Sequence, residues 1–444
     1  MLKKSNYNVK VSTLEDGRIL MFNTRTTAFG IMDKDSKRLY DNIETIDPDK
    51  LENQTDKQNL AILSRYGFVI PNEYNELDII KLNIQTGKYL TRSLALTIAP
   101  TMDCNMACPY CYETKQKKSM GEDIQELLYD FVKNYIGQHA CNTFQVTWYG
   151  GEPLLEVDTI FKLSKRFIEL SKEKDVKYSS SIITNGVLLE GQLAKRLKEE
   201  CQISRAQITI DGLPEQHNKR RILVDGRESF DIIMKNVESS KDYMVISIRI
   251  NCDKSNIDSV NELINHLALD KGWTKNPSFN VAKVRKYNNN CDFKSEDCLG
   301  DHEFGMLDLS IVSKYYDHES DDMRRLLYPM VKRNYCGAVM YGCYVVDPDG
   351  DLYTCWNHVG DKERNIGNVI QKNPMNAEYM KWLLHEPTGK CLECKTLPIC
   401  MGGCPYQNIN YGEPSCDNST FNYLEKLKVA YHDYSQRKST MPSA

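Results

Sequence analysis

The middle of this 444-residue chain predicts an α/β fold built on a parallel sheet, either a partial barrel or an open sheet. Two observations carry that prediction. Between Leu94 and Val284, short apolar runs alternate with helical stretches at a spacing of about 35 residues, which is the rhythm of repeated β/α units. Cys104, Cys108 and Cys111 directly follow the first of those runs, and barrels carry their functional groups on loops at the C-terminal ends of strands. A third observation bounds the region: residues 1 to 88 contain no cysteine and lack the β/α rhythm of the middle of the chain.

Near the N-terminus, Tyr7–Ser12 and Arg18–Asn23 alternate as strands, and Ala28–Met32 extends the second. Short amphipathic helices are expected at Asp35–Ile43 and Asp56–Tyr66, with a strand at Phe68–Ile70. A small hairpin plus helices resembles a winged helix-turn-helix, and Asn72–Tyr89 reads as a linker. Strands are then predicted at Leu94–Ile98, Phe144–Trp148, Ser179–Ile183, Gln207–Ile210, Val245–Ile250 and Phe279–Val284. Helices between them are expected at Glu122–Ile136, Thr159–Ser171, Gly191–Glu200, Ser229–Ser239 and Asp258–Leu269.

Composition excludes several classes. The formal net charge is −4 and no Lys/Arg block occurs, which argues against a nucleic-acid partner. The N-terminus lacks the apolar stretch of a signal peptide, and no apolar run approaches the 18 residues of a membrane span. A soluble, cytoplasmic protein without a membrane partner is therefore expected. In that setting sixteen cysteines point to metal or redox work rather than disulfides. Three stand in the Cys104 loop and eight lie between Cys336 and Cys416. Cys141, Cys201, Cys252, Cys291 and Cys298 are scattered and read as ordinary thiols.

Three thiolates on one loop can hold three irons of a [4Fe–4S] cube, which needs four ligands to be closed. With no fourth cysteine nearby, one iron stands open to a small molecule. Zinc is the competing reading, but it wants a full set of four Cys and His ligands, and the next histidine after the triplet is His139. The second strand ends in Gly150-Gly151-Glu152-Pro153. Its glycines let backbone approach a ligand closely, and its carbonyls and Glu152 would suit an ammonium group. Thr184-Asn185-Gly186 ends the third strand, and Thr209-Ile210-Asp211-Gly212 the fourth, on the same rim. Such groups suit ribose hydroxyls or a carboxylate. His217, Arg220 and Arg221 come next; each alone reads as part of a solvated helix end, although Arg221 could grip a carboxylate through two hydrogen bonds. Cys336, Cys343, Cys355, Cys391, Cys394, Cys400, Cys404 and Cys416 supply the eight thiolates of two closed [4Fe–4S] clusters, a number that two zinc sites would also use.

Cys104-x3-Cys108-x2-Cys111, with aromatic Tyr110 before the last cysteine, resembles the signature of radical S-adenosylmethionine (SAM) enzymes. The Gly150–Pro153 run is similar to their motif for the methionine amino group. The eight later cysteines resemble the SPASM extension, which carries two auxiliary clusters. The resemblance implies a partial (β/α)6 TIM-like barrel over 89–310, a Cys-rich SPASM domain over 311–444 and a winged-helix-like domain over 1–88. It implies three [4Fe–4S] clusters and SAM, contacted by Gly150, Gly151, Glu152, Pro153, Thr184, Asn185, Thr209, Asp211 and Arg221. Cys336, Cys343, Cys355 and Cys404 would hold one auxiliary cluster, and Cys391, Cys394, Cys400 and Cys416 the other, with Cys343 departing from the seven-cysteine core pattern. A flavodoxin- or ferredoxin-like protein would donate electrons. Among such enzymes, residues 1–88 favour a maturase that grips the leader of a ribosomally made precursor peptide and installs a thioether or carbon–carbon crosslink. A sulfatase-maturing, formylglycine-generating enzyme is the alternative, and a zinc-binding scaffold is the non-catalytic one. No residue type in the pattern marks the group that accepts the substrate proton.

Overall fold

The computed structural model describes residues 1–90, 92–113, 116–287, 293–315, 326–334, 336–371, 375–412, 415–416 and 419–440. The chain divides into two compact units, Met1–Leu90 with Asp301–Cys336 and His385–Ala444, and Thr91–Gly300 with Gly337–Leu384. The cysteine-rich third, expected over 311–444, contributes segments to both units. Among the described residues, no helix is long and apolar enough to cross a membrane.

In the first unit, Leu2–Lys4 (β1) pairs antiparallel with Val69–Pro71 (β5), while Asn8–Thr13 (β2), Ile19–Asn23 (β3) and Phe29–Met32 (β4) form an antiparallel sheet in that order. Residues 28–32 do not extend the second strand; they turn back as β4. The cause is Asn23, whose Oδ1 accepts from Arg25 N and Thr26 N, both at 3.0 Å, and bends the chain. Asx caps start the helices: Asp33 accepts from Ser36 N before Lys34–Asp41, and Asn53 accepts from Thr55 N before Gln54–Arg65. Met21, Met32, Leu39, Leu63 and Phe68 pack between sheet and helices. From the opposite sheet face, Val11, Leu20 and Phe22 pack on Ile399, Tyr423 and Leu427.

The expected linker at 72–89 is instead a helix, Glu76–Tyr89, capped by Asn75. Ile80 and Ile84, four residues apart, bury one face against Leu397, Met401 and Tyr7. Glu76 at its first turn is buried and accepts from Ser5 Oγ at 2.7 Å, Asn6 N at 2.8 Å and Arg25 Nε at 2.7 Å. Polar Asn, Gln and Thr between the apolar positions mask the helical period.

The second unit is organised around one nine-stranded sheet. Ser93–Ile98 (β6), Thr143–Trp148 (β7), Lys177–Thr184 (β8), Ile203–Thr209 (β9), Val245–Cys252 (β10) and Ser278–Lys283 (β11) lie side by side in sequence order, all parallel. These match the six expected strands to within a few residues, with Glu122–His139, Val157–Glu173, Gly191–Cys201, Phe230–Ser240 and Ile257–Asn265 as intervening helices. Cys343–Val346 (β12) adds a parallel strand beside β6, followed by antiparallel Asp351–Tyr353 (β13) and Gly367–Asn368 (β14). The α/β partial-barrel prediction therefore holds, enlarged by three strands from the cysteine-rich third.

Parallel strands covered on both faces are apolar throughout. Here, on β6, β7, β8 and β10, buried positions alternate with more exposed ones. On β10, Ile246, Ile248, Ile250 and Cys252 are buried, whereas Ser247, Arg249 and Asn251 are not. One face of the sheet is thus packed and the other lines an open interior. Cys141, Cys201 and Cys252 are buried thiols. Burial pushes the Cys201 thiol up to about 11, consistent with an inert packing role. Cys291 lies outside the described residues.

Candidate active site

A cavity of about 260 Å³ opens at the C-terminal ends of β6 to β11. Cys104, Cys108 and Cys111 line it, on the loop after β6. Gly150 and Gly151, just after β7, face them. Here glycine is required by space: a Cβ on Gly150 would stand 2.4 Å from Thr101 O, and one on Gly151 would stand 2.1 Å from Asp103 O. Gly151 N and Glu152 N donate to those same carbonyls, at 3.2 and 2.8 Å. The glycine motif therefore docks against the cysteine loop and fixes its position.

Thr184, Asn185, Thr209 and Arg221 also line the cavity; Glu152, Pro153 and Asp211 are not among its lining residues. Glu152 is fully buried and accepts from Thr184 Oγ1 at 2.7 Å, Asn185 N at 2.8 Å and Leu154 N at 3.0 Å. Burial pushes its carboxyl above the usual range, opposed by those three donors. Its observed contacts brace the rim of β8. Asn185 in turn reaches Asn105 Oδ1 at 2.6 Å and Cys104 Sγ at 4.0 Å.

His217, Arg220 and Arg221 do not form a solvated helix end; all three are buried. Tyr110 gathers them. Its hydroxyl donates to Asp211 and accepts from Arg221 Nη1 at 2.8 Å, while the Arg220 guanidinium lies 5.0 Å from its ring centre. Arg220 is held by Asp253 at 2.8 Å. Asp211 N donates to His217 Nδ1 at 3.2 Å, and His217 Nε2 meets Ser229 Oγ at 3.0 Å. Burial, with Arg221 and Arg220 nearby, drives the imidazole down to about 3, so it stays neutral and holds the Asp211 turn.

Further lining residues are not singled out by the sequence: Gln207, Arg249, Asn251, Lys283, Arg285 and Trp356. A signal for two of them exists, since Arg249 and Asn251 are polar at alternate positions of an otherwise apolar strand. With Arg221, four cations face the cavity against one carboxylate, Glu113. That balance suits an anionic group such as a carboxylate.

The spacing of donor atoms bears on which metal they fit. Among the described residues, only Asp347, Asp349 and Asp351 form a group whose ligand atoms all lie within 4.8 Å of one another. One zinc ion holds thiolates about 2.3 Å from itself, which would bring Cys104, Cys108 and Cys111 inside that limit. Thiolates on separate irons of a cube stand wider, so the triplet fits a cluster better than a single ion. The three aspartates hold the Lys362 ammonium, at 3.2, 2.7 and 2.5 Å. In the first unit, Cys400, Cys394 and Cys416 lie close enough to Cys391 to add to burial in raising its thiol pKa. Cys336 and Cys404 belong to the first unit, Cys343 and Cys355 to the second.

Comparison with known proteins agrees with this geometry. Residues 98–267 match the radical SAM superfamily. The cysteine-type anaerobic sulfatase-maturating enzyme of Clostridium perfringens is 27% identical over 354 residues, 70% of this chain and 88% of that protein. The mycofactocin maturase MftC of Mycolicibacterium smegmatis is 26% identical over 353 residues, 73% of this chain and 81% of that one. Among solved structures, anSMEcpe with bound AdoMet and Cp18Cys peptide aligns at TM-score 0.57 and 21% identity, covering 78% of this chain and 97% of that one. Streptococcus suis SuiB bound to precursor peptide SuiA aligns at TM-score 0.54 and 15% identity, covering 93% and 98%. Taken with the cysteine loop, the glycine motif and the parallel sheet, these matches show that residues 98–267 are a radical SAM domain and that the protein is an enzyme related to maturases.

Proposed function

We propose that this enzyme is a peptide maturase that cleaves SAM reductively and installs a thioether or carbon–carbon crosslink in a ribosomally made precursor. One observation carries the choice among maturases: the free edge of β4. Among the described residues, β4 pairs only with β3, and a groove of about 610 Å³ runs beside it, lined by Phe29–Met32 with Ile62 and Tyr66. Ile31, Ile62 and Tyr66 are 39, 53 and 50% exposed. An unpaired strand edge flanked by exposed apolar side chains suits an added peptide strand, whose backbone supplies affinity and whose alternate side chains fill pockets. A leader peptide is the occupant this reading assigns.

In the radical SAM domain, Cys104, Cys108 and Cys111 would hold the cluster with the open iron. When bound there, cluster and SAM together supply a 5′-deoxyadenosyl radical that removes a substrate hydrogen. The chain positions and shields. Gly150 and Gly151 keep the backbone close to the cysteine loop, Thr184 and Asn185 offer polar groups to the nucleoside and methionine, and Arg221 offers a cation to a carboxylate. Cys391, Cys394, Cys400 and Cys416, with the Cys336, Cys343, Cys355 and Cys404 set, would hold two auxiliary clusters. A flavodoxin- or ferredoxin-like donor would reduce the enzyme. The fifteen described cysteines are outside any disulfide, which fits a reducing cytoplasm.

The sulfatase-maturating relatives support a second reading, formylglycine formation on a protein cysteine. One experiment separates the two. Reduced enzyme is incubated with SAM and the short peptides encoded beside its gene, and the products are weighed. Loss of two hydrogens with an intact leader supports the crosslink; replacement of a cysteine thiol by an aldehyde supports the alternative. No modified peptide, with SAM still cleaved, overturns the precursor assignment.

A further inference from the structure

Two cysteine positions of the second unit are joined by a line of aromatic rings. Tyr112 directly follows Cys111, and Trp356 directly follows Cys355. Between them stands Tyr149, buried at the end of β7. The hydroxyls of Tyr112 and Tyr149 are hydrogen-bonded to each other. The Tyr149 ring lies 5.5 Å from the Trp356 ring, inclined by 31°. Every step of the line is thus a covalent bond, a hydrogen bond or a contact between rings. Tyr112, Tyr149 and Trp356 all border the cavity of the cysteine triplet.

We propose that Tyr112, Tyr149 and Trp356 are an electron bridge between a cluster ligated by Cys355 and the cluster on Cys104, Cys108 and Cys111. The proposal rests on the cluster assignments above. With both clusters bound, the three side chains would pass one electron from a reduced auxiliary cluster, thereby oxidised, to an oxidised open-iron cluster, thereby reduced; no bond would break and no proton would move. The reverse transfer balances in the same way. Electron tunnelling decays more slowly through bonded and π-contacting atoms than across a gap, and here both ends of the path are backbone neighbours of the ligands. A packing wall alone would not need its two ends fixed beside two separate cysteine ligands.

The test uses reconstituted holoenzyme as wild type and as Tyr149→Phe, Trp356→Leu and Trp356→Tyr. Each is photoreduced substoichiometrically with a deazaflavin, frozen after increasing delays and read by electron paramagnetic resonance. Added SAM shifts only the signal of the cluster with an open iron, so the two populations are told apart. The expected result is severalfold slower equilibration in Tyr149→Phe and Trp356→Leu, near wild-type equilibration in Trp356→Tyr, and unchanged iron content and midpoint potentials throughout. Equal rates in all four proteins, with full iron, overturn the bridge alone. A Cys355→Ser protein whose iron content and signals equal those of the wild type overturns the bridge together with the Cys355 cluster.

Discussion

Glu152 shows how a residue can be legible in sequence while its packing partners are not. The run Gly150–Pro153 points to ammonium binding, and the carboxylate is buried and braces Thr184 and Asn185. Glu152→Gln would set an amide donor against the donors it now accepts from, at a cost of roughly 1–3 kcal/mol. We expect a lower melting temperature and weaker SAM binding, by about tenfold if 1.4 kcal/mol reaches the rim; equilibrium binding of SAM to the reconstituted protein checks this. The role of His217 is hidden because a sequence does not report burial. Its pKa falls from 6.5 unfolded to about 3 folded, so its contribution is present above pH 6.5 and is lost as the pH falls towards 3. Between pH 7 and pH 5 the loss is about 2 kcal/mol. Denaturant titrations at the two pH values should show it in wild type and show less of it in His217→Asn.

Elements are most legible where one periodicity rules. The six parallel strands and their helices stand out because their apolar runs are short, regularly spaced and bounded by turn residues. Helix Glu76–Tyr89 is obscure because its buried face is carried by few apolar residues, and Lys88 completes that face by reaching His385 O at 2.8 Å. β12 to β14 are obscure because their segment reads as metal ligands rather than as the sheet edge that it extends. The union of two loops is legible only as two separate motifs. Gly151→Ala tests their contact: with Asp103 O only 2.1 Å from the added Cβ, the cysteine loop must shift. We expect iron content to fall by the equivalent of one cluster and SAM cleavage to vanish, while iron bound through the C-terminal cysteines remains.

For the whole molecule, the structure gathers segments distant in sequence, Met1–Leu90 with Asp301–Cys336 and His385–Ala444, into one unit. The physical reason lies in the small N-terminal sheet, which has apolar side chains on both faces. Met21 and Met32 are covered by local helices, but Leu20 and Phe22 need Ile399, Tyr423 and Leu427. Removing residues 1–88 would therefore strip more than a recognition module. It would bare the surface around Tyr423 and Leu427 and release Leu397 and Met401 beside Cys400. We expect that truncation to lower the iron held through Cys391, Cys394, Cys400 and Cys416, measured against an intact chain, and to expose dye-binding apolar surface.

The same interleaving sets an order of events during synthesis. A ribosome delivers residues from the N-terminus onward, and self-contained domains fold as they emerge. Here the N-terminal sheet waits, with Leu20 and Phe22 uncovered, until Tyr423 and Leu427 have been translated. The parallel sheet likewise gains its last neighbour only when Cys343–Val346 arrives to pair with β6. Neither unit is complete while the nascent chain is short, so any chaperone or metal-delivery factor must meet a polypeptide that already extends past Leu427.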